Sequence, residues 1–219
     1  ISKMLIYEPY KKVPLSDFVN ELRFEFPNVP DDIFFHHNRK TANTAARQGS
    51  LIRRFALLHP ESCVTRYRLE SPDGEEICAI LGIYEEDCCH GVRGVTRSYV
   101  PPEQGCLRAC GRKVAWYDDV EEVLHIDPGH CGSQFRIALA VAPDMAACEL
   151  PKSFFDRHFE LLLTGAKSGI MLMSGRPWSN LRLGAEYYQT FKHMLRDAAV
   201  SVAKHKMQVA IKMNFGKGL

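Results

Sequence analysis

The chain has 219 residues, 46% hydrophobic and 25% charged, with 28 Lys and Arg against 26 Asp and Glu. This is the composition of a soluble globular protein able to bury a sizeable core, as one large domain or a domain with an appended lobe. The formal charge of +2 is too small to imply a nucleic-acid partner by itself, and no apolar run approaches the roughly 18 residues needed to cross a bilayer.

Eight cysteines are too dilute here for a small disulfide scaffold, and several sit in apolar segments where Cys acts as a small hydrophobe. Glu8 interrupts the start, where a signal peptide would be continuously apolar, and Ile1 is not expected to be a native start: either Met4 is the initiator, or the chain is a fragment or carries a tag. The expectation is a cytoplasmic protein in a reducing compartment, without a membrane partner.

In chain order, Leu5 to Tyr7 predicts a short strand. Ser16 opens an amphipathic helix carrying Phe18, Val19, Leu22 and Phe26, and Pro27 stops it. After a turn-rich connection through Pro30, Ala45, Leu51, Ile52, Phe55 and Leu58 recur as a helical face between Thr41 and His59. Residues 1–60 are thus expected as an N-terminal helical segment, with a mixed core over 61–219.

Cys63 to Glu70 and Glu75 to Tyr84 alternate with period two around Pro72, Asp73 and Gly74, the clearest hairpin signal in the chain. Lys113 to Tyr117 and Val120 to Ile126 predict two further strands, and Phe135 to Val141 a strand buried on both faces. A sub-boundary is expected near 143–151. Pro151 then starts a helix through Phe154, Phe155, His158, Phe159 and Leu162, closed by Gly165. Ile170 to Met173 predicts a short strand, Tyr187 to Val202 a long helix, and Met207 to Phe215 a final strand, because period two returns there. The fold class expected is α+β: a hairpin-rich mixed sheet in the first two thirds, followed by a C-terminal β-α-β-α-β unit packing helices on the sheet.

Four groups of residues could carry chemistry. Cys88 and His90 share a face of an extended segment, and a Gly/Pro-containing loop separates them from Cys106 and Cys110. Two ligand pairs across such a loop suit a tetrahedral structural zinc. Chance clustering of cysteines near strand ends accounts for the same pattern.

Cys131 is the second candidate, flanked by Gly129, His130 and Gly132. A tight glycine turn can present backbone N–H groups to an oxyanion, with His125 or His158 as the base. Gly129-His130-Cys131-Gly132 resembles the Gly-x-Cys-Gly around the nucleophile of viral chymotrypsin-like cysteine proteases, which implies a thiol hydrolase. The resemblance covers four residues. Those proteases carry a glycine-flanked histidine on a strand shortly after the nucleophile, whereas the next histidine here is His158 on a predicted helix, so the family is not carried over.

Ser174, Gly175 and Arg176 stand in a polar loop entering a helix, where free N–H groups and the helix dipole favour an anion. No Gly-x-Gly-x-x-Gly or Gly-Lys-Ser accompanies them. Finally, Arg39, Lys40, Arg47, Arg53 and Arg54 near the start, and Lys192, Arg196, Lys204 and Lys206 near the end, could hold phosphates through charge. The leading expectation is a nucleic-acid- or protein-binding protein with a structural zinc; the alternative is a thiol-dependent hydrolase using Cys131.

Overall fold

A computed structural model describes residues 6–7, 9–61, 64–86, 107–109, 112–118, 123–126 and 134–215, the side chains of 84–86, 107–109, 112–114, 116–118 and 205–215 excepted. It is a mixed α+β structure that divides into two compact units, each assembled from two stretches of chain: residues 1–9 with 53–141, and residues 10–52 with 142–219. Most of the expected N-terminal helical segment therefore folds together with the C-terminal third.

The first unit is built on strands. β1 (Ile6–Tyr7) lies beside β3 (Arg53–Leu58), β3 beside β9 (Gln134–Pro143), and β9 beside β5 (Glu75–Glu86). β3 and β9 run antiparallel from Arg53↔Ala140 to Leu58↔Phe135. β9 is nearly continuously buried, as its apolar run predicts. A second antiparallel sheet has the order β4 (Arg66–Arg68), β8 (Val123–Ile126), β7 (Arg112–Asp118), β6 (Leu107–Ala109).

The hairpin expected over 63–84 does not form. Its turn exists, with the Glu75 amide donating to the Pro72 carbonyl at 3.0 Å, but the two arms join different sheets. Tyr67 decides this: it is buried, and its hydroxyl accepts from the Glu61 amide and donates to the Val64 carbonyl, both at 3.0 Å. That anchorage leaves three residues of strand, paired to β8.

The second unit is built on helices. α1 (Ser16–Glu25) begins where Ser16 predicts. α2 (Asp31–Gly49) starts well before Thr41, the expected helix start, directly after Pro30, with Asp31 and Asp32 in its first turn. It ends at Gly49 because Ser50 turns left-handed (φ 49°, ψ 39°). Leu51, Ile52, Phe55 and Leu58, read as the continuation of the helix, lie beyond that break, and the last two belong to β3.

A two-stranded ribbon of β2 (Lys12–Pro14) and β10 (Glu149–Pro151) packs against α1 and α3 (Lys152–Met171). α3 runs past Gly165, and α4 (Leu181–Phe215) runs past Val202. Ile170 to Met173 and Met207 to Phe215, expected as strands, are thus the end of one helix with its following turn and the end of another helix. An established helix adds one hydrogen bond per residue, and Lys, Gln, Met and Ala propagate it readily, so a short period-two run does not end it.

The core of this unit joins Val19 and Leu22 of α1, Phe26 just after it, Phe34 of α2, and Ala166, Ile170 and Met171 of α3. α3 comes close to both α2 and α4 because it offers glycines. A Cβ on Gly165 would collide with Thr41 of α2 and the Phe191 ring of α4, and one on Gly169 with the His37 imidazole. Among the described residues, the polar side chains buried in this helical unit are Asn38, Thr41 and Ser168. Ser168 Oγ donates to the Gly165 carbonyl at 2.7 Å. Neither side-chain atom of Asn38 has a partner among the described residues.

A buried amide without partners forfeits its hydration. Asn38→Leu, which keeps the branched heavy-atom skeleton, should therefore raise the unfolding free energy by about 1–2 kcal/mol. Urea denaturation followed by circular dichroism measures this; a loss of stability would mean the amide is satisfied in solution.

Candidate nucleic-acid interface

The basic residues expected at a phosphate surface have different surroundings. On α2, Arg39 donates from Nε to the Ala147 carbonyl at 2.7 Å while its guanidinium lies 5.7 Å over the Phe35 ring. It pins the segment before β10. Arg47 donates to Asn43 Oδ1 at 3.0 Å. Lys40 and Arg53 are exposed.

Arg54 is enclosed. Its Nε stands 2.8 Å from Glu75 Oε2, the two side chains being 10% and 7% exposed, and its guanidinium covers the Tyr7 ring at 5.6 Å. The Tyr7 hydroxyl donates to the Glu70 carbonyl. Burial pushes the Glu75 carboxyl up to about 7 despite the neighbouring cation, and the Tyr7 phenol up to about 12. The pair is a desolvated one, whose attraction is largely spent offsetting the loss of water. It fastens β1 and β5 to β3 and has little charge left for an external phosphate.

On α4 the described basic groups remain in water. Gly184, Phe191 and Leu195 are buried along one side of this helix, while Arg182, Lys192, Arg196 and Lys204 are exposed. At 100° per residue these four cations fall within roughly 120° of arc opposite the buried stripe. They extend over about 33 Å of helix at 1.5 Å per residue. Arg182 leans on Glu186 at 3.5 Å, and Lys192 Nζ sits 4.7 Å over the Tyr188 ring. Lys206 lies within the helix bounds, its side chain outside those described.

The loop ahead of α4 spends its polar groups on itself. Asn180 Oδ1 accepts the Leu183 amide at 3.1 Å, the Asn180 carbonyl accepts the Gly184 amide at 2.8 Å, and the Asn180 amide donates to the Met171 carbonyl at 3.0 Å. Asn180 thereby caps the helix, taking up amide groups that an anion would use. Ser174, Gly175 and Arg176 are exposed beside it, with Arg176 stacked 6.0 Å over Trp178.

Cys88, His90, Cys106, Cys110 and Cys131 lie outside the described residues, as do Cys89, His130 and Cys63. Among the described residues, no three His, Cys, Asp or Glu side chains converge as metal ligands do. His125 is half-buried on β8, in register with Arg66 and Trp116. His158 is on α3 of the other unit. It holds non-helical angles (φ −122°, ψ 22°) inside the helix, a distortion that regular apolar spacing cannot signal. Burial, then the Arg157 charge, lowers its pKa.

Two buried groups set opposing pH responses. Burial, with the charges of His36 and Lys40, lowers His37 from 6.5 to about 4. The folded chain then refuses a proton that the unfolded chain accepts, so stability falls as pH drops from 6.5 towards 4. Glu75, raised from 4.5 to about 7, contributes fully below pH 4.5, and its contribution is lost as pH rises towards 7. In denaturation profiles from pH 4 to 7.5, His37→Gln should reduce the acid-side loss, to which His158 also contributes, and Glu75→Gln the decline towards neutrality; profiles with unchanged slopes would contradict both assignments. No protein-family model matches the chain, and no curated protein matches it.

Proposed function

We propose that this protein binds nucleic acid through the outer face of α4, using charge and not base recognition. The carrying observation is the solvent-facing row of Arg182, Lys192, Arg196 and Lys204 opposite the buried stripe of one helix. Neither Arg196 nor Lys204 has an ion-pair partner among the described residues, so binding a phosphate breaks no internal contact there. The length of the row, about 33 Å, is close to one turn of duplex. Hydrated lysines and arginines on a rigid helix displace condensed counterions when they meet phosphates, which makes the binding salt-dependent and sequence-tolerant.

A structural zinc held by Cys88, His90, Cys106 and Cys110 belongs to the same reading, as a brace and not as a catalyst. Elemental analysis of untagged protein should find about one zinc per chain, lost after Cys106→Ser with Cys110→Ser; a stable metal-free preparation removes this part alone.

The interface is tested by fluorescence anisotropy with a labelled 20-base-pair duplex and a 20-mer single strand between 50 and 200 mM salt. Replacing Lys192, Arg196 and Lys204 by Ala should weaken binding at least about tenfold and reduce the slope of log affinity against log salt by about 2–3. All three side chains are exposed, so folding should be retained. No binding by the unaltered protein at 50 mM salt, or equal slopes for both proteins, would end the proposal.

A further inference from the structure

We propose that the break in α3 at His158 forms a binding site for a small aromatic molecule bearing one hydrogen-bonding substituent. An open cleft of about 180 Å³ lies there between α3 and α4, lined by all of residues 156–161 and by Met194 and Ala198. An intact helix turns about 100° per residue, so six consecutive residues cannot face one space. They do so here because the turn is opened at His158.

Nothing in the local sequence causes that opening. Kinks come from Pro, from Gly or Ser pairs, from an extra residue in a turn, or from a group inserted into the hydrogen-bond ladder, and residues 154–162 contain no Pro, Gly or Ser. Tertiary packing holds it instead. Phe18 of α1 stacks on Phe159 beyond the break at 4.9 Å and meets Phe155 ahead of it edge-on at 5.0 Å, gripping both sides.

The lining selects the ligand. Leu161 is buried, and Met194 and Ala198 of α4 supply an apolar wall, the small Ala198 leaving room and the Met194 thioether suiting a ring edge. A volume of about 150 Å³ accommodates a benzene ring; this cleft, open to water on one side and lined by polar as well as apolar groups, has room for a ring of phenol or indole size whose polar substituent faces the polar side. His158, kept neutral by burial, offers one ring N–H donor and one acceptor nitrogen. Arg157 and Glu160 are exposed charges of opposite sign, and Asp156 is tied to Lys152 at 3.0 Å, so a fully charged head gains little. The cavity lies on the packed side of α4, away from the basic row, and its occupation does not depend on nucleic-acid binding.

The test is titration of the full chain with phenol, indole and toluene, followed by amide chemical shifts. Saturable shifts confined to residues 156–161 and the surroundings of Met194 and Ala198 are expected, with phenol binding at least about fivefold tighter than toluene, as one added hydrogen bond implies. Ala198→Leu should weaken phenol at least about tenfold by filling the space, and His158→Leu should bring phenol and toluene level. Met194→Phe serves as the filling variant if Ala198→Leu does not fold. Shifts centred elsewhere, equal affinity for phenol and toluene in the unaltered chain, or filling variants that bind as before would overturn the site.

Discussion

The helical unit depends on the absence of two side chains. At Gly165 and Gly169, α3 comes near enough to its neighbours for Thr41 and His37 of α2 and the Phe191 ring of α4 to occupy the space a Cβ would need. Close-packed interiors tolerate no such overlap, so both glycines are required for these helices to approach as they do. α3 consequently serves as the hub: α1 packs through Phe18, α2 through Thr41 and His37, and α4 through Phe191. The close approach also has a cost, since the seam encloses Asn38 without a partner among the described residues and holds the His37 imidazole partly away from water.

Charge is partitioned by the same rule in both units. A cation leaves water only with a partner in good geometry, and Arg54 meets that condition through Glu75 and the Tyr7 ring. Arg136 keeps its guanidinium 4.1 Å over the Phe55 ring, and Arg39 spends its Nε on a backbone carbonyl. These arginines are fasteners. Arg182, Lys192, Arg196 and Lys204 of α4 lie opposite its buried residues and stay exposed to water.

Much of the architecture was legible in local pattern. The start of α1 at Ser16, the existence of strands at β7 and β8 and the doubly buried β9 followed from periodicity and turn chemistry. The misreadings have separate causes. Leu51 to Leu58 can be drawn on a helical face, and only the left-handed Ser50 shows that the helix has ended. The alternation of Met207 to Phe215 is real but sits at the end of a helix of 35 residues. Around Pro72 to Gly74 the turn was identified and the pairing was not, because strand partners come from elsewhere in the chain.

For the candidate sites the division is similar. Residue type and spacing marked α4 as basic, and helical geometry alone places Lys192, Arg196 and Lys204 on one side. Spacing could not reveal that Arg54 is consumed by Glu75, 21 residues away, or that Phe18 grips a broken turn at His158, because those contacts join distant positions. By itself the sequence determined the mixed α+β class, the composition of the buried strand and the amphipathic helices, since these depend on neighbours a few residues apart. Tertiary structure decided which strands pair, which cations stay in water and where a helix opens, since each of those turns on what the folded chain brings alongside.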